Sequence, residues 1–193
     1  MPHINLNLGL TSKKQQVMEN AVVIANYFVK KALADGFPVT LMKLVKLVYI
    51  AHGWHLGLTT PSQPLLSEGV QAWKYGPVVP SVYDAFRVNG SSNVTELAAT
   101  VGPDGRMVYQ AVADPGLTQF LDAVWERYKR FDGLQLSALT HQQDTPWYTC
   151  WHNEGASNVM GYVIPNNLIA SHYHAMADAN RARTNAESAA AAA

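Results

Sequence analysis

The stretch that decides the fold runs from Val39 to Tyr83 and reads VTLMKLVKLVYIAHGWHLGLTTPSQPLLSEGVQAWKYGPVVPSVY. It opens with a long apolar run of helical period, is interrupted by the proline-containing loop TTPSQP, and ends in the compact string EGVQAWKYGPVVPSVY. None of these strings is typical of catalytic machinery. We therefore expect the stretch to hold the centre of a fold and not an active site.

The apolar run from Leu41 to Leu58 predicts a helix capped by Thr40. It is nearly long enough to span a bilayer, but lysines and histidines interrupt it, and each charge near the bilayer centre costs about 2 to 3 kcal/mol. We therefore expect a buried core helix. Gly53 and Gly57 lie on the face beside its apolar stripe, where each costs about 1 kcal/mol relative to alanine. Their presence predicts close backbone approach by another element.

Capping and turn signals predict further elements on both sides of this helix. The first predicted helix is capped by Ser12 and ends at Gly36, and a helical turn runs from Pro80 through Phe86. An amphipathic helix is predicted from Asp114-Pro115 to Gly133, and a short helix over about 136–142. Two more helices are predicted to begin at Thr145-Pro146 and after Pro165 and Asn166. The extended elements are a short segment from Leu65 to Trp73 and a hairpin from Val94 to Val112. The predicted fold class is mainly α, a compact single-domain helical bundle with a small β-hairpin or sheet.

Length and composition set limits on the domain organisation. The chain has 193 residues, 48% hydrophobic and 15% charged, which suffices for one buried core but hardly for two. We expect an N-terminal extension over residues 1–16, one domain over 17–178 and a flexible C-terminal tail over 179–193, where no apolar period remains.

Charge and cysteine content limit the classes of partner and the compartment. Lys plus Arg and Asp plus Glu both number 14, so no global field exists to attract a polyanion, and nucleic-acid binding is disfavoured. The only cysteine, Cys150, cannot form an intramolecular disulfide, and the first ten residues lack the features of a secretion signal. These observations predict a cytoplasmic protein that is not in the membrane.

The sequence offers weak support for a metal site or a catalytic cysteine. His52 and His55 are three residues apart on a helix, whereas zinc-binding helices usually present ligands at i and i+4. Cys150 has His141 and His152 nearby as possible bases, but it sits in an aromatic segment where a cysteine usually acts as a small buried hydrophobe. We expect no catalytic residue, no cofactor and no metal, and keep a metal- or Cys-dependent hydrolase as an alternative.

Three strings of the chain strongly resemble the Panacea domain, also called the SocA-like or GepA-like family of phage-associated proteins. They are MKLVKLVYIAHGWHLGL from Met42 to Leu58, PLLSEGVQAWKYGPVVPSVYDAF from Pro64 to Phe86, and LSALTHQQDTPW from Leu136 to Trp147. The resemblance covers about residues 17 to 176, with the order and spacing of the strings intact.

The resemblance implies a mostly helical antitoxin from a bacterial or prophage toxin–antitoxin pair, which neutralises a cognate protein toxin by direct binding. One family member, SocA, resembles a proteolytic adaptor that delivers its toxin to the ClpXP protease, so an adaptor with ClpXP as a second partner is the alternative. Neither role is enzymatic.

The resemblance also divides the candidate site residues into two sets. The family's signature positions, which we expect to be structural, are Gly53, Trp54, Gly76, Pro77, His141, Pro146 and Trp147. The expected partner-binding residues are Lys43, Lys46, Glu68, Trp73, Lys74 and Tyr75. Trp73 and Tyr75 place two large rings at a turn rigidified by Pro77, which is typical of interfaces, although a turn that supports the core is the alternative. For Lys43 and Lys46 we expect solvated positions flanking an apolar helix, from which they could meet acidic groups of a partner.

Overall fold

The structure is a computed structural model that describes residues 18–61 and 63–191. Within these ranges the chain folds into seven α-helices and two short β-hairpins. In chain order they are α1 (Ala21–Asp35), α2 (Leu41–Leu58), β1 (Gln71–Trp73), β2 (Gly76–Val78), α3 (Pro80–Phe86), β3 (Thr100–Val101), β4 (Met107–Val108), α4 (Pro115–Tyr128), α5 (Gly133–Thr140), α6 (Pro146–Tyr148) and α7 (Asn166–Ala191). The predicted fold class, mainly helical with a small hairpin component, is confirmed.

Helix α2 forms the centre of the bundle and packs against α1, α4, α5 and α7. Thr40 caps it as predicted, its hydroxyl oxygen accepting from the Lys43 amide at 3.4 Å. The predicted close approach at its glycines is also confirmed, because a Cβ added to Gly57 would lie 2.6 Å from the Cβ of Tyr173 on α7. The missing side chains of α2 therefore let α7 lie directly against its backbone.

Helix α1 begins later than the sequence predicts. Its cap is Asn20, whose side-chain oxygen accepts from the Val22 amide at 2.8 Å. Residues 18–20 are not helical, because the Glu19 amide donates to the Leu65 carbonyl at 2.8 Å and holds this segment beside the following loop. The predicted cap, Ser12, lies outside the described residues, and a helix that includes the segment before Asn20 is wrong.

Helix α4 ends at Tyr128, so the predicted stop at Gly133 is also wrong. Gly133 is instead the first residue of α5, behind the capping box formed by Asp132 and Gln135. A Cβ at Gly133 would lie 3.0 Å from the Lys43 amide nitrogen, so the glycine lets α5 approach α2 closely. The glycine that the sequence pattern predicts as the end of one helix is the start of the next.

The two hairpins differ in how well the sequence predicted them. Strands β3 and β4 pair antiparallel around the predicted Gly-Pro-Asp-Gly turn, although each strand has only two residues. The predicted extended segment from Leu65 to Trp73 contains β1, which pairs antiparallel with the unpredicted β2, Trp73 opposite Gly76. The β1–β2 turn therefore presents Lys74 and Tyr75 at its tip.

Helix α7 extends from the core past residue 178, the predicted end of the domain. Tyr173 and Ala177 are buried, whereas most side chains from Asp178 to Ala190 are exposed. The division into extension, domain and tail stays a prediction. No helix in the described part of the chain is long and apolar enough to cross a membrane.

Candidate partner-binding site

Lys46 is buried, which corrects the prediction that it is solvated. Its side chain is 2% exposed, and its Nζ donates to the carbonyl oxygen of Tyr75 at 2.6 Å and to that of Pro77 at 3.1 Å. Burial lowers the pKa of this ammonium to about 7. Because α2 is enclosed on all sides, the stem of Lys46 crosses apolar surface and its charged end meets backbone carbonyls instead of water.

Lys43 is also buried, at 3% exposure, and its predicted solvated position is wrong for the same reason. Its Nζ donates to the Lys129 carbonyl at 2.7 Å and to the Pro38 carbonyl at 3.1 Å, and lies 5.6 Å from the Trp125 ring centre. The Lys129 carbonyl belongs to the C-terminal cap of α4, where the helix dipole favours a cation. Burial lowers the pKa of Lys43. This lysine ties α4 to α2.

We call the segment Trp73–Pro77 the aromatic turn, and side chains from three helices hold its backbone. Lys46 on α2 binds two of its carbonyls, and the Trp147 indole N–H on α6 donates to the Trp73 carbonyl at 2.8 Å. The Ser137 hydroxyl on α5 adds a long contact to the Tyr75 carbonyl at 3.4 Å. The turn is therefore bonded to the core through its main chain.

The signature residues Gly76, His141 and Trp147 lie together beneath this turn. Gly76 has φ +100°, and a Cβ there would lie 2.5 Å from the Lys46 Nζ and 2.8 Å from the His141 Cε1. The His141 ring lies 3.9 Å from the Trp147 ring, and its Nδ1 donates to the Ser137 carbonyl at 2.6 Å. The buried Pro77 follows Gly76 in β2. No side chain other than hydrogen fits at Gly76 without moving its neighbours.

The remaining signature residues lie in the core. Trp54 is 2% exposed, donates from its indole N–H to the Tyr128 hydroxyl at 3.0 Å, and has its ring 5.3 Å from that of Tyr173. Gly53 faces the same Tyr173 ring. Pro146 is buried as the first residue of α6.

The predicted binding residues Lys74 and Tyr75 are exposed at the tip of the aromatic turn. Tyr75 is 67% exposed, and the Lys74 Nζ lies 5.6 Å from its ring centre. Trp73 is half-buried, with its ring 5.0 Å from that of Tyr83. Of the predicted set, the structure therefore brings Trp73, Lys74 and Tyr75 together on one surface.

A groove of about 820 Å³ lies beside the aromatic turn, between the N-terminal ends of α2 and α5. We call it the turn groove; among its lining residues are Leu41, Val45, Trp73, Tyr75, Tyr83 and Leu134. Leu134 is 72% exposed and was not among the predicted contact residues. Nothing in the local sequence separates it from Leu136, which is buried, because only the placement of α5 on α2 decides which leucine faces outward.

Glu68 lies apart from the tip and is already bonded. Its carboxylate accepts from the Ser81 hydroxyl and, at 3.4 Å, from the Ser81 amide. Ser81 is in the first turn of α3, so the carboxylate satisfies the N-terminal end of a helix that lacks its own side-chain cap. This engagement makes Glu68 a poorer contact residue than the sequence predicts.

The candidate residues for catalysis or metal binding, Cys150, His52 and His55, are all buried. Cys150 is buried, and burial raises the pKa of its thiol to about 12, so the reactive thiolate is disfavoured at neutral pH. His52 and His55 are buried in α2, where burial lowers the pKa of each to about 4. Among residues 18–61 and 63–191, no group of three or more His, Cys, Asp or Glu is placed to hold a metal ion.

Comparison with known proteins identifies relatives of this chain. A family model described as antitoxin SocA-like, Panacea domain, matches residues 44–148, which contain Lys46, the aromatic turn, His141 and Trp147. The protein named antitoxin SocA from Caulobacter vibrioides (strain NA1000 / CB15N) is 28% identical over 166 residues, 85% of this chain and 86% of that protein. No solved structure matches the chain.

Proposed function

The chain belongs to the antitoxin SocA-like, Panacea-domain family, and on that premise we propose that it is an antitoxin that neutralises a cognate protein toxin by binding it directly. The proposed contact surface is the tip of the aromatic turn, with Trp73, Lys74 and Tyr75, together with the adjoining turn groove. The cytoplasm, where a co-encoded toxin is made, is the proposed site of action.

The observation that carries this proposal is a large aromatic side chain that is exposed although its backbone is fixed. The Tyr75 ring is 67% exposed, while its carbonyl oxygen accepts from the buried Lys46. A side chain presented by a rigid backbone loses little conformational freedom on binding, which raises affinity without added contacts. Tyrosine also supplies a large apolar area and a polar end, which makes it a frequent anchor of interfaces.

The turn groove supplies an apolar surface next to this anchor. Leu134, 72% exposed, continues the apolar area that begins at Tyr75. An apolar side chain of the toxin enters the groove, and an acidic group of the toxin faces Lys74 at the rim. Burial of the apolar surface of the turn groove then contributes most of the affinity for the toxin, and the charge of Lys74 at its edge sets the orientation of the bound toxin.

The family match and the chemistry of Cys150 both favour a non-enzymatic role. A raised thiol pKa removes the nucleophile that a cysteine hydrolase would need. Sequestration of the toxin requires only a stable interface, of about 1,200 to 2,000 Å² for a standard complex.

Co-expression with the product of the adjacent gene tests the proposal. If that product arrests growth, the wild-type chain restores growth, Tyr75→Ala restores it poorly, and Tyr109→Ala, which changes a tyrosine of 68% exposure on another surface, restores it fully. A toxic neighbour that the wild-type chain leaves active would overturn the proposal. A toxin whose half-life shortens when the chain is present would identify the adaptor alternative instead of sequestration.

A further inference from the structure

A second cavity, separate from the turn groove, lies between α2, α4, α5 and α7. Its volume is about 370 Å³, and its lining shares no residue with the turn groove. We call it the arginine pocket; among its lining residues are Tyr49, Trp54, Arg127, Tyr128, Tyr173 and Arg183. Ligand pockets typically measure about 300 to 1,000 Å³, so this volume suits a small molecule.

The two arginines of this pocket are not neutralised. The Nε atoms of Arg127 and Arg183 are buried and find no hydrogen-bond acceptor within the described chain. Neither arginine forms a salt bridge with a carboxylate of residues 18–61 or 63–191, and the lining contains no Asp or Glu in that range. The Arg183 Nη2 donates to the side-chain oxygen of Asn180 at 3.0 Å, which leaves the charge of this guanidinium in place. Two guanidinium groups that face no carboxylate in a partly buried site favour an anion that accepts from both.

Tyrosine, tryptophan and phenylalanine side chains form part of the pocket wall, beside aliphatic residues such as Leu139 and Met176. The Trp54 and Tyr173 rings are 5.3 Å apart and the Tyr49 and Tyr173 rings 6.1 Å apart, both edge to face. The guanidinium carbon of Arg127 lies 6.0 Å from the Tyr128 ring centre. An apolar or aromatic body is the group that such walls bind best.

A backbone position in the left-handed region lies in the loop between α5 and α6, which contributes two lining residues to the pocket. Asp144, between the lining residues Gln142 and Thr145, has φ 65° and is the one non-glycine residue with positive φ in the described ranges. Such residues cost about 1 kcal/mol or more and cluster at binding sites.

We propose that the arginine pocket binds a small anion whose carboxylate or phosphate is carried on an aromatic or other apolar body. The anionic group lies between Arg127 and Arg183 and accepts from N–H donors of their guanidinium groups. The apolar body lies against the tyrosine and tryptophan rings. This site is independent of the proposed toxin surface, so failure of either proposal leaves the other standing.

NMR titration of the full chain with simple probes tests the proposal. Phenyl phosphate and benzoate are the anionic probes, benzamide is the neutral analogue of benzoate, and inorganic phosphate is the anion without an apolar body. At least one of the first two is expected to saturate with a Kd of about 1 mM or tighter, with the shifts confined to the pocket. Benzamide and inorganic phosphate are expected to bind at least about tenfold more weakly.

Substitution of the arginines supplies the specific control. Arg127→Gln and Arg183→Gln are each expected to weaken binding of the anionic probe about tenfold or more, the loss of one charge-assisted contact. Arg181→Gln, on the exposed side of α7 beside Asp178, is expected to change nothing.

Several results would overturn the proposal. They are the failure of both anionic probes to saturate, equal binding of benzamide or inorganic phosphate, unchanged binding in both pocket variants, or an equal loss in Arg181→Gln. If a pocket variant does not fold, the chemical-shift changes of the wild-type chain on addition of the anionic probe test the proposal. Changes confined to residues of the arginine pocket support the site, and changes elsewhere contradict it.

Discussion

The ammonium of Lys46, in the second turn of the buried helix α2, lies 2.6 Å from the carbonyl oxygen of Tyr75, whose side chain is the exposed tip of the aromatic turn. One hydrogen bond thus joins the centre of the core to the proposed toxin-binding surface. A neutral lysine amine still has two N–H donors for the carbonyls of Tyr75 and Pro77, so this connection does not require the charge. The geometry of the surface is therefore set by the packing of α2.

Gly76→Ala is expected to destabilise the chain by about 2 to 4 kcal/mol, because the added Cβ meets Lys46 and His141 at a φ that alanine rarely adopts. Gly105→Ala is the matched control, since Gly105 also has positive φ, +78°, but has nothing within 4 Å of its Cβ position. The control is expected to cost about 1 kcal/mol. Urea unfolding measures both, and equal costs would show that the close contact beneath the turn does not exist.

Lys46→Met is expected to remove a pH dependence of stability between pH 7 and 9. The folded pKa of Lys46, about 7, lies below its ordinary value of 10.5, so over this window the unfolded chain binds more protons. The free energy of unfolding of the wild type therefore rises with pH, by at most about 1.4 kcal/mol per unit from this group.

The difference between wild type and Lys46→Met isolates this effect from other titrating groups. Urea unfolding at several pH values gives it directly. A difference that stays constant from pH 7 to 9 would contradict the burial of the Lys46 ammonium.

The buried histidines of α2 are expected to make the fold acid-sensitive. The folded pKa values of His52 and His55 are about 4, below the ordinary 6.5, so between pH 4 and 6.5 the unfolded chain binds more protons. Stability falls as the pH drops through this window, by up to about 1.4 kcal/mol per unit for each histidine. Thermal melts from pH 7 to pH 4 should show the loss, and His55→Gln should reduce it. If the melting temperature of His55→Gln depends on pH in the same way as that of the wild type, the His55 imidazole is not buried.

Gly57→Ala is expected to separate α2 from α7 and to cost about 2 kcal/mol or more. Its Cβ would lie 2.7 Å from the backbone carbon of Tyr173 and 2.8 Å from the His174 amide nitrogen, and a backbone cannot yield as a side chain does. Gly116→Ala, in the exposed first turn of α4, is the control. Its Cβ meets only the side-chain carboxylate of Asp114, at 3.1 Å, and alanine's higher helix propensity offsets part of that contact, so a smaller cost than that of Gly57→Ala is expected. Equal shifts of the denaturant midpoint in Gly57→Ala and Gly116→Ala would contradict the close contact between α2 and α7.

The features that sequence predicted best are those governed by local chemistry. Thr40 caps α2 because its hydroxyl serves an amide three residues away, and Gly57 signals a close contact because a glycine inside a helix is costly. The residues of the aromatic turn were identified for the same reason, since large rings beside Gly76 and Pro77 mark a rigid turn.

The features that sequence did not predict depend on neighbours distant along the chain. Lys43 and Lys46 are buried because carbonyls of Lys129 and Tyr75 receive them, and no local pattern reports those partners. The arginine pocket cannot be predicted from the sequence because Arg183 lies in the predicted tail and lines the same cavity as Arg127 only when α7 packs on the bundle. The presence of a charged side chain in the sequence therefore does not show that the residue is exposed to solvent.

The most direct test of the central claim is the affinity of the purified chain for the toxic product of the adjacent gene, measured for wild type, Tyr75→Ala, Leu134→Ala and Tyr109→Ala. The account predicts that Tyr75→Ala weakens binding by at least about tenfold, that Leu134→Ala weakens it less, and that Tyr109→Ala leaves it unchanged. Circular dichroism melts confirm that each variant is folded. A folded Tyr75→Ala variant that binds the toxin as tightly as the wild type would contradict the claim that the aromatic turn is the neutralising surface.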